Sequence, residues 1–437
     1  MRSICKKKEK IHHTSGPLPV CDMEMAIELS PLALFALVGA SLKVLGLAAR
    51  VPYTLMHSIT VYLGGLIGFE TKQSATRIAQ YLGGVSHDNL TRMLRKRGKQ
   101  KFRIILWFVS LVQRVGGTGY LIIDDTAIQH KRSKKIQGCY WDYDHAEGRN
   151  VLCQRLVVVL WSNGFFRIPV GYALWHKKGA RKKYRTKNEI ARTLVRWCVR
   201  KGIRPSYIVF DNWYASKDNM KLFSKTLCIP FVTKLKKNCK LTYEGKRLQA
   251  RTIGRRILQQ RRQYISSKTG VWSRKGIVSM GKGLGSMCFV VFRDECDGKK
   301  PGINYLLSSC PSLSAGEVVQ RYRSRWIIET FFQDIKQHMG LSQYQGRSLE
   351  GSYAHIGLCF AGAIVLDFIR QSKNMSFREA KILLCSLFFV KDGKGRYHLA
   401  TFHAVSPSEL QNLDTMMEIA KAQFLTGSTF YDMPLAA

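Results

Sequence analysis

The order of apolar runs between residues 120 and 234 limits this chain to a small set of folds. Runs rich in Val, Ile, Leu and aromatic residues, bounded by turn residues, predict strands. Thr186 and Glu189 form a capping box that opens an amphipathic helix to about Arg200. The predicted strands are 120–126, 153–161, 165–175, 206–211 and 230–234, with a short helix before the last. This order predicts an α/β fold with a mixed sheet flanked by helices.

Two of these predicted strands end in acidic residues. Asp124 closes the first strand and Asp211 closes the fourth. Open α/β sheets hold their ligands at the carboxyl ends of strands, so we expect the two carboxylates to lie close together. Asp125 is an alternative first acid, because neighbours in a strand point to opposite faces. If Asp125 is not the functional acid, it faces solvent or bonds to the turn.

The stretch from residue 322 to 336 contains no Pro or Gly and predicts a helix. At 100° per residue, one stripe about 60° wide holds Tyr322, Arg325, Glu329 and Lys336. Asp334 lies off this stripe, and the opposite side carries the apolar residues that would dock on a core. The stripe is either an ion-pair face or, together with the two strand-end acids, a metal site beside phosphate-binding cations.

The charge of the chain indicates its partner. It carries 70 Lys and Arg residues against 29 Asp and Glu, a formal net charge of +41 over 437 residues. An excess of this size predicts a polyanionic partner, and nucleic acid is the first candidate. A ribosomal or RNA-chaperone protein would share this charge, so the charge predicts a partner and leaves the reaction open.

The cysteine pattern and the length of the apolar runs indicate where in the cell the protein is located. The 12 cysteines include no C-x-x-C pair, which predicts reduced thiols in a cytoplasmic protein. The most apolar run, residues 31–42, is too short to span a bilayer, and no cleavage site follows it. We therefore expect no membrane association.

Residues 74–97 predict two short helices joined by a turn at Gly83-Gly84. The exposed side of the second helix carries Arg92, Arg95 and Lys96. Such a surface suits the major groove, as in a helix-turn-helix, and the alternative is an ordinary helical hairpin with a solvated basic face. We expect a flexible basic arm at 1–30 and an all-α DNA-binding domain at 31–115.

The strand order, the D-x-T pattern of Asp124 and Thr126, the run from Asp211 to Tyr214 and the Y-R-E-K spacing form a joint pattern. It resembles the DDE transposases of bacterial insertion sequences, in the subgroup with the Y-R-E-K signature and a ribonuclease H-like catalytic domain. The resemblance covers about residues 118–372. It implies a catalytic domain formed by 118–235 and 312–372, a β-rich insertion at 236–311 and a C-terminal helical region at 373–437.

The family's roles carry over to matching positions. The resemblance implies that Asp124, Asp211 and Glu329 hold two Mg²⁺ ions, with Mn²⁺ as a possible substitute, and that the D-x-T pattern favours Asp124 over Asp125. It also implies phosphate contacts by the other three residues of the stripe, Tyr322, Arg325 and Lys336.

Further basic segments are candidate DNA contacts. They lie in the loop containing Lys182 and Lys183 and, within the insertion, at Arg255 and Arg256. The alternative for both is a solvated charged surface. Trp272, also in the insertion, is a candidate for stacking on an unpaired base during hairpin formation, with a core position as the alternative.

We therefore expect a transposase that binds terminal inverted repeats of double-stranded DNA, cleaves by metal-assisted hydrolysis and joins the 3′ end to target DNA. A homodimer is expected in the synaptic complex, and a nucleoid-associated, cytoplasmic location follows. Two alternatives are a ribonuclease H-like nuclease or resolvase without strand transfer, and a DNA-binding regulator derived from a transposase. The sequence does not decide between excision with and without a hairpin.

Overall fold

The computed structural model describes residues 53–69, 73–82, 85–95, 99–115, 119–130, 135–144, 147–179, 184–259, 271–281, 283–294, 302–386, 389–391 and 397–399. Its helices are α1 (Tyr53–Gly68), α2 (Ala75–Leu82), α3 (His87–Arg95), α4 (Lys99–Val115), α5 (Lys187–Arg200), α6 (Lys217–Lys221), α7 (Ala250–Gln259), α8 (Ala315–Arg323), α9 (Trp326–His338), α10 (Leu349–Lys373) and α11 (Phe377–Ser386). Its strands are β1 (Tyr120–Gln129), β2 (Tyr140–Asp144), β3 (Arg149–Ser162), β4 (Arg167–Trp175), β5 (Ile208–Phe210), β6 (Phe231–Lys234), β7 (Lys240–Tyr243), β8 (Lys246–Gln249), β9 (Val271–Ser279), β10 (Ser286–Asp294), β11 (Ile303–Ser308), β12 (Phe389–Lys391) and β13 (Tyr397–Leu399).

β1 is an inner strand of a mixed sheet. It pairs antiparallel with β3 along its whole length and parallel with β5, and β6 follows β5 in parallel. β2 and β4 both pair antiparallel with the other edge of β3. The predicted α/β class with a mixed sheet flanked by helices is confirmed, and the strand order β4-β3-β1-β5-β6 is consistent with a ribonuclease H-like fold. β2 was not predicted from the sequence.

The strands of the predicted insertion continue this sheet. β11 pairs antiparallel with β6, and β10, β9, β7 and β8 follow in that order. The segment is β-rich as expected, and it also contains helix α7. The predicted insertion is therefore joined to the strands that precede it by strand pairing, edge to edge.

Helices cover both faces of the sheet. Gly171 and Tyr172 are neighbours in β4 and point to opposite faces. A Cβ on Gly171 would lie 3.4 Å from Leu194 of α5, so this face carries α5. Tyr172 packs edge-on against Phe360 of α10, with ring centroids 5.2 Å apart, so the other face carries α10.

The helices that precede the sheet share its core. Buried residues of α1, α3 and α4 belong to one apolar cluster with the sheet and α10, for example Tyr62, Leu90 and Trp107. Tyr62 also reaches His355 of α10, with 2.9 Å between its hydroxyl and Nδ1. The described part of the predicted 31–115 domain therefore packs against the sheet and α10 and shares their core.

α10 is long and apolar. Over Leu349–Gln371 its length and composition would suit a membrane span, yet 89% of its most apolar window is buried inside the protein. It lies against β4, α1 and α4. Its burial makes it a core helix of the protein.

A buried ion-pair network joins β4 to two helices. Arg167 of β4 is 5% exposed and makes two hydrogen bonds to Asp367 of α10, at 2.8 and 2.5 Å. Its remaining nitrogen donates to Asp334 of α9 at 2.7 Å. Arg370 adds a second cation beside Asp367 at 3.2 Å. The network fixes α9 relative to the sheet.

A second polar cluster joins α11 to the ends of two other helices. The ammonium of Lys381 donates to the carbonyls of Phe69, at 2.9 Å, and of His338. The side-chain amide of Gln73 donates to the same carbonyls, at 2.6 and 3.2 Å. Both side chains are buried. Because helix C-termini carry partial negative charge, the ammonium neutralises the ends of α1 and α9 together.

Candidate active site

Asp124 and Asp211 lie at the same level of two neighbouring strands. The expectation that Asp124 closes its strand is wrong, because β1 stays paired with β3 as far as Gln129 and residues 126–128 are buried as well. Asp211 directly follows β5, which is buried throughout. β1 and β5 are parallel and Ile123 pairs with Phe210, so the two acids occupy the next position on each strand and lie side by side at the carboxyl end of β5.

The predicted continuous helix over residues 322–336 is wrong, because α8 ends at Arg323 and α9 begins at Trp326. In the junction, the backbone N–H of Arg325 donates to Tyr322 at 3.0 Å and that of Ile328 donates to Arg325 at 3.1 Å. Hydrogen bonds spaced by three residues tighten the turn relative to an α-helix.

Ser324 explains the break. Its hydroxyl donates to the Arg321 carbonyl at 2.6 Å and lies 3.2 Å from the Tyr207 hydroxyl. Serine side chains that bond to nearby carbonyls compete with regular helical geometry. The contact with Tyr207 holds the junction over the sheet just before β5.

Despite the helix break at Ser324, the guanidinium of Arg325 contacts both Asp124 and Glu329. One guanidinium nitrogen lies 2.8 Å from Asp124 Oδ2, and the other contacts Glu329 one turn further on. Tyr322 stands beside the guanidinium, with its ring centroid 5.7 Å away, and its burial raises the pKa of its phenol to about 12. The structure thus places Tyr322, Arg325 and Glu329 together with Asp124.

In the described parts of the chain, no group of three His, Cys, Asp or Glu side chains is close enough to hold a metal ion as the side chains stand. The donor chemistry nevertheless fits Mg²⁺, which prefers carboxylate oxygens. Burial raises the pKa of Asp124 to about 7; Arg325 opposes this rise, whereas the negative charges of Asp125 and Asp211 add to it. A cation at this edge would stabilise the same charge that Arg325 stabilises in the structure.

Asp125 faces the opposite side of the sheet. Lys187 of α5 lies 2.8 Å from its carboxylate, and the Tyr214 hydroxyl donates to it at 2.9 Å. Arg155 of β3 lies 3.7 Å away. With these three partners, Asp125 acts as a structural anion behind the strand, so the geometry favours Asp124 as the first acid.

Lys336 lies further along α9 and is exposed. It follows Glu329 by seven positions, which corresponds to about 10 Å along the helix axis. Lys336 therefore stands outside the cluster around Arg325.

The helices of the predicted helix-turn-helix are α2 and α3. Leu90, Met93 and Leu94 of α3 are buried, whereas Arg92 and Arg95 are exposed, as the pattern predicted. Arg92 donates to Asn89 at 2.7 Å on the same exposed face. Lys96 and the turn residues lie outside the described residues.

The remaining predicted DNA contacts are only partly visible. Arg255 of α7 is exposed and Arg256 is half-buried. Trp272 lies in β9 opposite Arg293 of β10, but its side chain is outside the described part of the structure. Lys182 and Lys183 also lie outside it.

The sequence analysis assigned no role to Trp213, which the structure exposes beside Asp211. Its side chain is 54% exposed, and the ammonium groups of Lys187 and Lys236 lie 5.1 and 5.7 Å from its ring centroid. A tryptophan two residues after a strand-end acid was a usable signal, because the position lies at the ligand-binding edge of an α/β sheet.

A sheet with acids at its carboxyl edge, on a strongly basic chain, is the arrangement of an endonuclease that acts on nucleic acid. The family model of the DDE superfamily endonucleases matches residues 48–276, just over half of the chain. This protein belongs to that family, for which DNA is the substrate. The match includes Asp124 and Asp211 and ends before Glu329. Among curated proteins, none matches the chain.

Proposed function

We propose that this protein is a DDE transposase of the insertion-sequence type, which cleaves the ends of its element and joins them to target DNA. The observation that carries the proposal is the meeting of Asp124 and Glu329 on one guanidinium, beside Asp211. The net charge of +41 supports a DNA substrate that is held along much of its length.

Each residue of the cluster has a role in this proposal. Asp124, Asp211 and Glu329 would hold two Mg²⁺ ions, which when bound activate the attacking oxygen and stabilise the leaving oxygen. Arg325 neutralises two of these carboxylates in the structure, and in the complex it would turn toward a phosphate beside the scissile bond. Tyr322 keeps the guanidinium in place, and Lys336 would hold a phosphate further along the strand.

Other parts of the chain would position the DNA. We assign recognition of the terminal repeat to Arg92 and Arg95 of α3 together with Lys96, which follows the helix in the sequence, and backbone contacts to the insertion and the 182–183 loop. Mg²⁺ as the working ion, a homodimer that pairs the two ends, and a nucleoid-associated location are parts of the same proposal.

The test uses a supercoiled plasmid that carries the gene with its natural flanking DNA. The purified full-length chain is incubated with it in Mg²⁺, in Mn²⁺ and in EDTA, and nicking and linearisation are followed on gels. Labelled end fragments added to a second plasmid report strand joining. The variants are Asp124→Asn, Asp211→Asn and Glu329→Gln, with Asp125→Asn and the exposed Asp218→Asn as controls.

We expect metal-dependent cleavage and joining by the wild type, by Asp125→Asn and by Asp218→Asn. The three site variants should lose at least about 100-fold in cleavage while keeping DNA affinity, because each loses a metal-binding charge. Cleavage without joining would indicate a nuclease or resolvase, and no cleavage at all would indicate a DNA-binding regulator. Wild-type activity of Glu329→Gln would refute the catalytic assignment.

A further inference from the structure

We infer that Trp213, with Lys236, forms a platform that binds one unpaired nucleotide of the DNA next to the cleavage position. This inference rests on the proposed function, in which DNA is the substrate, and adds a nucleotide-binding site to the protein. The platform lies at the carboxyl edge of the sheet, since Trp213 follows Asp211 by two residues and Lys236 follows β6 by two.

The indole is open and flanked by cations. More than half of its surface is exposed, which is unusual for a tryptophan in a folded core. Both ammonium groups stand near the ring, but that of Lys187 is 13% exposed and pairs with Asp125, whereas Lys236 is exposed. A nucleotide matches this arrangement, because its base has a flat face for the indole and a phosphate attached to it lies within reach of Lys236.

Hydrogen bonds to buried side chains fix the turn that carries the Trp213 indole. Tyr214 is buried and donates to Asp125, and its carbonyl accepts a bond from Asn219 at 2.9 Å. The Trp213 carbonyl faces the amide of Asn188 at 3.4 Å, and Asn188 is itself bonded to Asn219 at 2.8 Å. A platform fixed in this way loses little conformational entropy when it binds a ligand.

The ligand must be an unpaired base. In a continuous duplex both faces of each base are covered by its neighbours, so the indole has no face to meet. A base displaced at a nick, a gap or a melted end exposes its face and remains attached to two phosphates. Such a base arises where a strand is cut, which is where Asp211 is placed.

The experiment measures binding without catalysis. The full-length chain in EDTA is titrated into two fluorescein-labelled 40-base-pair duplexes that differ only by a central bubble of three mismatched thymines, and anisotropy gives Kd. A third probe carries 2-aminopurine in the bubble, whose fluorescence is quenched by stacking. The variants are Trp213→Ala, Trp213→Phe and, as a matched exposed tryptophan on β2, Trp141→Ala.

We expect Trp213→Ala to weaken binding of the bubble duplex by about 5- to 150-fold, to abolish the quenching and to leave the paired duplex unchanged. Trp213→Phe should retain most of the affinity, and Trp141→Ala all of it. Equal binding of the bubble duplex by wild type and Trp213→Ala, or equal losses on both duplexes, would overturn the inference. Because no metal is present, failure of the proposed cleavage does not affect the result.

Discussion

Replacing Arg167 by Met should destabilise the protein through the charges that it leaves behind. Asp367 is 2% exposed and Asp334 is 21% exposed, and both carboxylates use Arg167 as a partner. Breaking a buried ion pair from one side typically costs about 3–5 kcal/mol. Arg370 remains 3.2 Å from Asp367, and water can reach Asp334, so we expect the lower end of the range, about 3 kcal/mol.

The double variant Arg167→Met/Asp367→Leu separates charge from packing. It removes the cation together with its most buried partner, and apolar groups of similar size replace both. We expect it to be more stable than Arg167→Met, with a loss of about 1 kcal/mol relative to wild type, because well-packed apolar residues often replace a buried pair at little cost.

The stabilities of these variants are compared by urea unfolding of the full-length chain, monitored by circular dichroism. The difference between unfolding midpoints gives the change in the free energy of unfolding. Arg251→Met, at an exposed position of α7, is the control and should change stability by less than about 0.5 kcal/mol. Asp334→Asn should lose less than Arg167→Met and should still cleave DNA, because the amide oxygen can accept the bond and Asp334 is outside the acid cluster. A loss below about 1 kcal/mol for Arg167→Met, or a double variant no more stable than Arg167→Met, would refute the reasoning.

Three further predictions concern DNA, metal and pH. The logarithm of DNA affinity should fall with the logarithm of salt concentration by about 0.9 per phosphate neutralised, and a slope near zero in filter binding would contradict the charge argument. Arg325→Gln should bind Mn²⁺ several-fold more tightly in a paramagnetic-resonance titration, because the guanidinium no longer competes for Asp124 and Glu329; unchanged affinity would count against that competition. Burial lowers the pKa of His355 to about 4, so the unfolded chain binds the extra proton between pH 6.5 and 4 and stability falls as pH drops through that window, by about 3 kcal/mol at most. The pH dependence of unfolding should therefore flatten in His355→Gln, and parallel curves would show that other groups cause it.

The central strands could be predicted because their signal is local. The runs that end at Asp124 and Asp211 are apolar and bounded by turns, and burial of both sides of an inner strand requires that composition. β2 was missed because Tyr140-Trp-Asp-Tyr-Asp is only five residues long, contains two acids and buries one residue, so it lacks the apolar run that marks the central strands. Its pairing with β3 along all five residues is visible only in the fold.

The sequence predicted which acids lie near one another, but it did not predict the geometry that brings them together. The helical stripe assumed a regular helix, and the break at Ser324 depends on a contact with Tyr207, 117 residues away. The partners of Arg167 could not be predicted from the sequence either. Asp367 lies 200 residues away, and nothing in the sequence distinguishes a buried aspartate from an exposed one. Periodicity reports which residues share a face, and only the folded chain shows which distant element meets that face.

Lys381 has a consequence for the order in which the protein matures. A chain released from the ribosome only as far as residue 380 would contain all three acids, the sheet and α9, yet it would lack the ammonium that joins the ends of α1 and α9. Those carbonyls would then converge without a cation of their own. The end of α9 is thus secured by a residue translated more than forty positions later, so we expect a growing chain that already carries its acids to fix α9 only after α11 has emerged.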